Sequence, residues 1–278
     1  MKLLRYGPAG AEKAGALDAQ GRVRDLSLLV PDLTPEWLAP ERLRALAAVD
    51  LEQMPLVEGS PRLGTPFAGT RQFIAIGLNY RKHAEESGLP IPQEPVVFNK
   101  ALTSLSGPDD DIVLPHGSEE TDWEIELGFV IGTTARQVTR EAALSHVAGY
   151  CLANDVSERN WQIKRNGQWG KGKSFDTFGP VGPWLVTADE IPDPQQLDMA
   201  LSVNGVLKQG SNTADMIFPV ADIIVYLSQF MTLLPGDLVI TGTPAGVGLG
   251  MKPQQFLNRG DVVTLRIDHL GTQTQRVV

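Results

Sequence analysis

The chain has 278 residues, 42% of them hydrophobic, enough for a full core in one large domain or a large domain with a small partner. Its formal net charge of −9, with no basic cluster to override it, argues against nucleic acid as the main partner. The single cysteine, Cys151, excludes an intramolecular disulfide; with no apolar run of membrane-spanning length and no signal-like start, a cytoplasmic protein is expected.

Lys2–Tyr6 and Arg22–Leu26 are predicted as short strands. The segments opening at Pro35-Glu36-Trp37 and Pro40-Glu41-Arg42 are predicted as helices with proline at an early position. The breaker-rich run from Glu58 to Pro66 reads as a linker, which divides the chain into a small N-terminal α/β unit, 1–65, and a larger part, 66–278. The larger part starts with a strand at Phe73–Ile76 and a short polar helix from Arg81 to Ser87, after which Pro90, Pro92 and Pro95 keep the chain extended. A strand is expected at Ile112–Leu114, and a helix capped by Thr139 from Arg140 to Val147. The apolar runs Trp123–Ile131 and Val147–Leu152 read as strands, Ser157–Arg165 as a helix, and Lys171–Pro183 as a loop rich in glycine and proline.

Leu201–Leu207 is a hairpin, because Asn204-Gly205 suits the left-handed positions of a tight turn. Apolar residues at helical spacing mark Ala221–Met231 as the strongest helix. A strand at Leu238–Thr241 and a hairpin of Val262–Ile267 with Thr272–Val278 complete the chain. Many short strands with few helices predict a β-rich α+β architecture rather than alternating βαβ units.

The most informative pattern is Glu124-Ile125-Glu126. Strand alternation puts Trp123, Ile125, Leu127 and Phe129 on one face and the two glutamates on the other, next to Gly128, which would leave open space. Carboxylates that close repel unless a cation lies between them. A third acid, Asp155, at the end of the next strand would complete an all-oxygen site for Mg²⁺ or Mn²⁺. The alternative is a solvated acidic face with a helix cap at Asp155.

Three other features carry chemistry. His83 and Glu86, spaced i, i+3, form either a carboxylate-oriented general base or an exposed helical pair. Lys173 lies in a glycine loop, where it either holds an anion or enolate or stays solvated. The run Thr241–Gly248 offers a hydroxyl and backbone N–H groups to an oxyanion, or is a plain turn. Gly167–Ser174 matches the phosphate-loop pattern, but its flanks are not a strand and a helix, which disfavours nucleotide binding. His146 reads as structural, His116 as a loop residue with metal-ligand chemistry but no fixed geometry, and Asp109-Asp110-Asp111 as a solvated turn.

Taken together, Gly77-Leu78-Asn79-Tyr80 through His83 and Glu86, Thr103-Ser104 to Gly107-Pro108, Glu124-x-Glu126, Asn154–Arg159, Lys171–Asp176 and Gly242–Gly248 resemble the fumarylacetoacetate hydrolase family. The resemblance runs in one order from about Phe73 to Gly250 and is weak over the first 60 or so residues. It implies a mixed β-sandwich roll, a divalent cation (Mg²⁺ or Mn²⁺) on Glu124, Glu126 and Asp155, a His83–Glu86 dyad, an active-site Lys173 and a homodimer. Tyr80, Arg159, Gln162 and Thr243 are the candidates for orienting substrate. The fit around Trp169–Pro180 is closest to the bacterial branch acting on 2,4-diketo-3-deoxy-L-rhamnonate and L-fuconate. The implied reaction is C3–C4 hydrolysis of a 2,4-diketo acid to pyruvate and L-lactate. Decarboxylation, tautomerisation and ureidoglycolate lysis are its alternatives.

Overall fold

The computed structural model describes residues 1–278. Its strands are β1 (Lys2–Tyr6), β2 (Lys13–Leu17), β3 (Val23–Asp25), β4 (Phe73–Gly77), β5 (Val96–Asn99), β6 (Leu105–Ser106), β7 (Thr121–Asp122) and β8 (Ile125–Ile131). They continue with β9 (Val147–Asn154), β10 (Ser157–Glu158), β11 (Gly179–Thr187), β12 (Asp198–Val203), β13 (Val206–Asn212), β14 (Leu238–Ile240), β15 (Val262–Ile267) and β16 (Gly271–Arg276). The helices are few and short: α1 (Pro40–Ala47), α2 (Arg81–Glu86), α3 (Arg140–Ala143), α4 (Gly170–Lys173) and α5 (Val220–Phe230).

Ten strands make one mixed sheet in the order β3-β2-β1-β11-β9-β8-β14-β4-β5, with β6 pairing alongside β11. A second sheet, β13-β12-β15-β16, is antiparallel throughout. The β-rich α+β architecture expected from the sequence is the one observed.

Alternation along the central strands explains why both faces of the large sheet are buried. Ile74 and Ile76 of β4, Ile125, Leu127 and Phe129 of β8, and Tyr150 and Leu152 of β9 share a core with the second sheet and α5. The intervening Phe73, Ala75, Val130, Cys151 and Ala153 face a second core closed by Leu3, Leu26, Leu43 and Leu46. Each large apolar side chain so buried contributes ~1.5–3 kcal/mol. β1 pairs antiparallel with β11, and residues of the 1–65 segment share this second core with the main sheet.

Several local expectations differ from the structure: the strand expected at Ile112–Leu114 is a single bridge, Ile112 to Val277. Pro35–Trp37 forms turns and the helix starts only at Pro40, whose ring would clash with the carbonyl of Glu36 had the helix begun earlier. The loop expected over Lys171–Pro183 contains one helical turn and most of β11, whose register shifts between Gly182 and Val186, where Pro183 is accommodated. Ser157–Arg165 is two strand residues followed by a π-helix at Asn160–Lys164. Gly128 does not leave open space: it pairs with Cys151, and a Cβ there would lie 2.9 Å from the Cys151 Sγ. That thiol is buried and burial alone pushes its pKa up, so it is a packing group.

Candidate active site

The pairing of β8 with β9 brings the three acids together. Ile125 pairs with Asn154, and the Asp155 N–H donates to the Glu124 carbonyl at 2.9 Å, so both chain ends leave the sheet on the same side. Oxygens of Glu124, Glu126 and Asp155 all lie within 4.8 Å of one another, and all three side chains are buried.

Three buried cations surround them. Lys173 Nζ is 2.6 Å from Glu124 Oε2 and 2.5 Å from Asp155 Oδ2. Lys100 Nζ is 2.6 Å from Asp155 Oδ1 and also donates to the Lys173 carbonyl. Arg159 Nη2 lies 2.7 Å from Glu124 Oε1 and 2.8 Å from Asp122 Oδ2. Burial would raise the Glu124 carboxyl, but Lys173 and Arg159 outweigh it and hold it at about 2. Glu126 is different. Its one protein hydrogen bond is from the Gly242 N–H at 2.7 Å, and burial, then Asp155 and Glu124, push its pKa well above the carboxylate range. Burial opposes the charge of Lys173, yet Asp155 and Glu124 prevail and raise it; for Lys100 burial prevails and lowers it.

This donor set fits a hard divalent cation. Three carboxylates converge, and Glu126 has no ammonium or guanidinium bonded to it. Counted at full ionisation, four buried carboxylates (with Asp122) face three cations, so one divalent ion would leave the site positive and receptive to an anionic ligand.

A cavity of about 430 Å³ opens onto this cluster. Glu124, Glu126, Asp155 and Lys173 line it, as do His83, Glu86, Arg159, Gln162 and Thr243. His83 Nδ1 lies 3.3 Å from Glu86 Oε2, and the Gly246 N–H donates to both Glu86 oxygens at 3.1 Å. Tyr80 is the exception. Its ring is wholly buried in the core and its hydroxyl donates to Met199 Sδ at 3.1 Å, so it does not reach the cavity. Thr243 lines the cavity, but its hydroxyl is committed: it donates to the Ile125 carbonyl and accepts from Gln209 Nε2. Gln162 accepts from Arg159 Nη1 at 2.9 Å, which leaves its NH₂ without a protein partner.

The loop after β14, expected to offer N–H groups to a bound oxyanion, spends them on the protein's own carboxylates. Gly242 N–H holds Glu126, Gly246 N–H holds Glu86, and Gly248 and Leu249 N–H hold Asp122. The loop thereby ties the histidine dyad, the acidic cluster and the Arg159 anchor into one frame. The phosphate-loop match has no phosphate site: a Cβ on Gly172 would lie 2.5 Å from the Gln162 nitrogen and the Glu158 oxygen, so that turn packs against backbone. His116 is exposed and belongs to no acidic cluster, and Asp110 is held by Arg62.

A family model for fumarylacetoacetate (FAA) hydrolase, C-terminal, matches residues 72–278. The chain belongs to the fumarylacetoacetate hydrolase family. A Burkholderia ambifaria protein named as a hydrolase is 58% identical over 276 residues, covering 99% of this chain and 98% of that one. A fumarylacetoacetate hydrolase from the psychrophile Exiguobacterium antarcticum is 37% identical, with a TM-score of 0.89 over 100% of this chain and 99% of its own. Maleylpyruvate hydrolase from Sphingobium sp. SYK-6, solved with manganese(II) ion and pyruvate, is 31% identical, with a TM-score of 0.83 over 100% and 99% of the two chains. This member of the fumarylacetoacetate hydrolase family is thus an enzyme whose acidic cluster can hold a divalent metal.

Two residues of the frame escaped sequence reasoning. Lys100 follows β5, and nothing local separates it from a surface lysine; only the fold carries it to Asp155. Asp122 did leave a signal, since Asp122, Glu124 and Glu126 alternate at period two. Its carboxylate turns instead to Arg159 and the Gly248–Leu249 N–H groups.

Proposed function

We propose that this enzyme hydrolyses the C3–C4 bond of a 2,4-diketo acid, an acylpyruvate, giving pyruvate and the acid of the acyl group. The observation that carries the reading is the meeting of three buried carboxylates, a histidine–glutamate pair and a buried lysine around one cavity. Water adds across the bond: its oxygen goes to C4, the C3–C4 electron pair goes to C3, and C3 takes a proton.

Glu124, Glu126 and Asp155 would hold a divalent cation, Mg²⁺ or Mn²⁺, which when bound supplies Lewis-acid stabilisation of charge on the 2-keto oxygen. The chain's own groups supply the rest. Glu86, fixed by the Gly246 N–H, orients His83 through Nδ1 and leaves Nε2 to take the proton from water. Lys173 brings positive charge to the developing enolate. Gln162 has a free NH₂ for a substrate oxygen, while Arg159, already bonded to Asp122, Glu124 and Gln162, acts by holding them in place. A base poised for water favours hydrolysis over decarboxylation, which needs no attacking water.

Among 2,4-diketo acids, the residues around Trp169–Pro180 support the 6-deoxysugar-derived 2,4-diketo-3-deoxy-L-rhamnonate or L-fuconate, with L-lactate as second product. The test is pyruvate release from a panel of acylpyruvates with Mg²⁺ or Mn²⁺ present. Release from at least one acylpyruvate is expected. Metal-dependent CO₂ release from oxaloacetate with no pyruvate from any acylpyruvate would move the site to the decarboxylase reading.

A further inference from the structure

We infer that Lys100 is a positioning residue of the acidic cluster: by covering one oxygen of Asp155 from behind, it leaves a bound cation a single oxygen there and sets the site for a small octahedral ion rather than for Ca²⁺. The inference rests on the cluster holding a divalent cation and is independent of which substrate is cleaved.

Lys100 takes part in no step of the reaction proposed above. It follows β5, its side chain is fully buried, and it does not line the cavity. A buried ammonium is costly unless its protons are taken up. Here every polar partner is an acceptor: Asp155 Oδ1 at 2.6 Å, the Lys173 carbonyl and, at 3.5 Å, the Val156 carbonyl. The Phe73 ring, its centre 5.7 Å from Nζ, belongs to the second core and closes the other side.

The surrounding backbone keeps both partners in place. The Ala101 N–H donates to Ser174 Oγ at 2.9 Å, and a Cβ on Gly170 would lie 3.1 Å from the Asn99 carbonyl oxygen, so residues 99–101 are clamped along α4. Asp155 is held as firmly: its N–H donates to the Glu124 carbonyl at 2.9 Å, and its own carbonyl accepts from Ser157 Oγ at 2.8 Å. Neither Lys100 nor Asp155 can turn away without breaking several of these contacts.

The other two acids are divided in the same way. Glu124 Oε1 faces Arg159, and Glu126 Oε2 accepts from the Gly242 N–H. What remains is one oxygen from each acid: Asp155 Oδ2 and Glu124 Oε2, both met by Lys173, and the other oxygen of Glu126. Lys173 lines the cavity, so an arriving ion competes with it directly, whereas Lys100 lies out of reach. Single carboxylate oxygens, with the remaining positions left to water or substrate, suit the octahedral preference of Mg²⁺ and Mn²⁺. Ca²⁺ collects about six to eight oxygens and draws on carboxylates that bind through both. Lys100 denies it the second oxygen of Asp155.

The experiment titrates Mn²⁺ and Ca²⁺ separately into the exhaustively chelated full chain by calorimetry, for the unaltered protein and for Lys100→Met, which keeps most of the side-chain volume and removes the donors. The unaltered protein should bind Mn²⁺ at least ~10-fold more tightly than Ca²⁺. In Lys100→Met both oxygens of Asp155 are open, and the ratio of the Ca²⁺ to the Mn²⁺ dissociation constant should fall by ~10-fold, the size of effect typical of groups that orient metal-binding carboxylates. A merely loosened site would weaken both ions alike, and loss of a charge alone would strengthen both alike, so an unchanged ratio overturns the inference. Should Lys100→Met not fold, the unaltered protein decides: Mn²⁺ binding without that preference over Ca²⁺ overturns the inference and leaves the metal site standing. Absence of Mn²⁺ binding to the unaltered protein overturns the metal reading and this inference with it.

Discussion

His83→Ala lowers kcat by ~10²–10⁴ while divalent-metal affinity stays within about threefold of the unaltered protein. The reason is geometric. His83 bonds to Glu86, not to the acidic cluster, so its loss removes the group proposed as the base for water and leaves the three carboxylates undisturbed. Glu86→Gln should cost less, because the amide can still accept from the Gly246 N–H while orienting the imidazole more weakly. Steady-state pyruvate release and a calorimetric Mn²⁺ titration on the same preparations check both halves. A variant that loses metal binding in step with turnover would make His83 a ligand and overturn its assignment as base.

Lys173→Met is the substitution with the largest expected effect on stability. In the metal-free protein it leaves Glu124 and Asp155 without the ammonium that sits 2.6 and 2.5 Å from them, in a site where the side chains are at most 7% exposed. Breaking a buried pair by removing one partner costs ~3–5 kcal/mol. A divalent cation should return most of that loss, since it supplies the missing charge to the same oxygens; at 100 times its Kd, a ligand specific for the folded state stabilises by about 2.7 kcal/mol. Urea unfolding with and without Mn²⁺ reads both effects. Turnover of the metal-loaded variant should remain low, because methionine brings no positive charge to the enolate and Lys100 is turned to Asp155 and backbone. Equal stability of variant and parent without metal would show that Lys173 is not the counter-charge of the cluster.

What the sequence made legible was periodic. Glu124 and Glu126 could be placed on one face, and Asp155 at the end of the neighbouring strand, because strands alternate and the apolar runs marked both. The i, i+3 spacing of His83 and Glu86 was legible for the same kind of reason, as were α5 and the Asn204-Gly205 hairpin. Long-range partnership left no such trace. Lys100 sits 55 residues from Asp155 and has no periodic relation to it. Tyr80 belongs to a segment that does reach the cavity, yet its side chain turns into the core toward Met199, 119 residues away. Strand β11 was hidden by its prolines and glycines, which a bulge accommodates. The Thr241–Gly248 run could be read as an oxyanion binder or as a plain turn, and spacing could not show that its N–H groups go to Glu126, Glu86 and Asp122, carboxylates of distant segments.

The central claim is that one divalent cation held by Glu124, Glu126 and Asp155 is required for cleavage of the carbon–carbon bond. The most direct measurement is a titration of Mn²⁺ into exhaustively chelated protein while pyruvate release from the preferred acylpyruvate is followed. The account predicts no release before metal is added, and a rise that saturates at one ion per chain and is abolished in Glu126→Gln. Undiminished release from the chelated protein, or a rise that persists unchanged in Glu126→Gln, would contradict it.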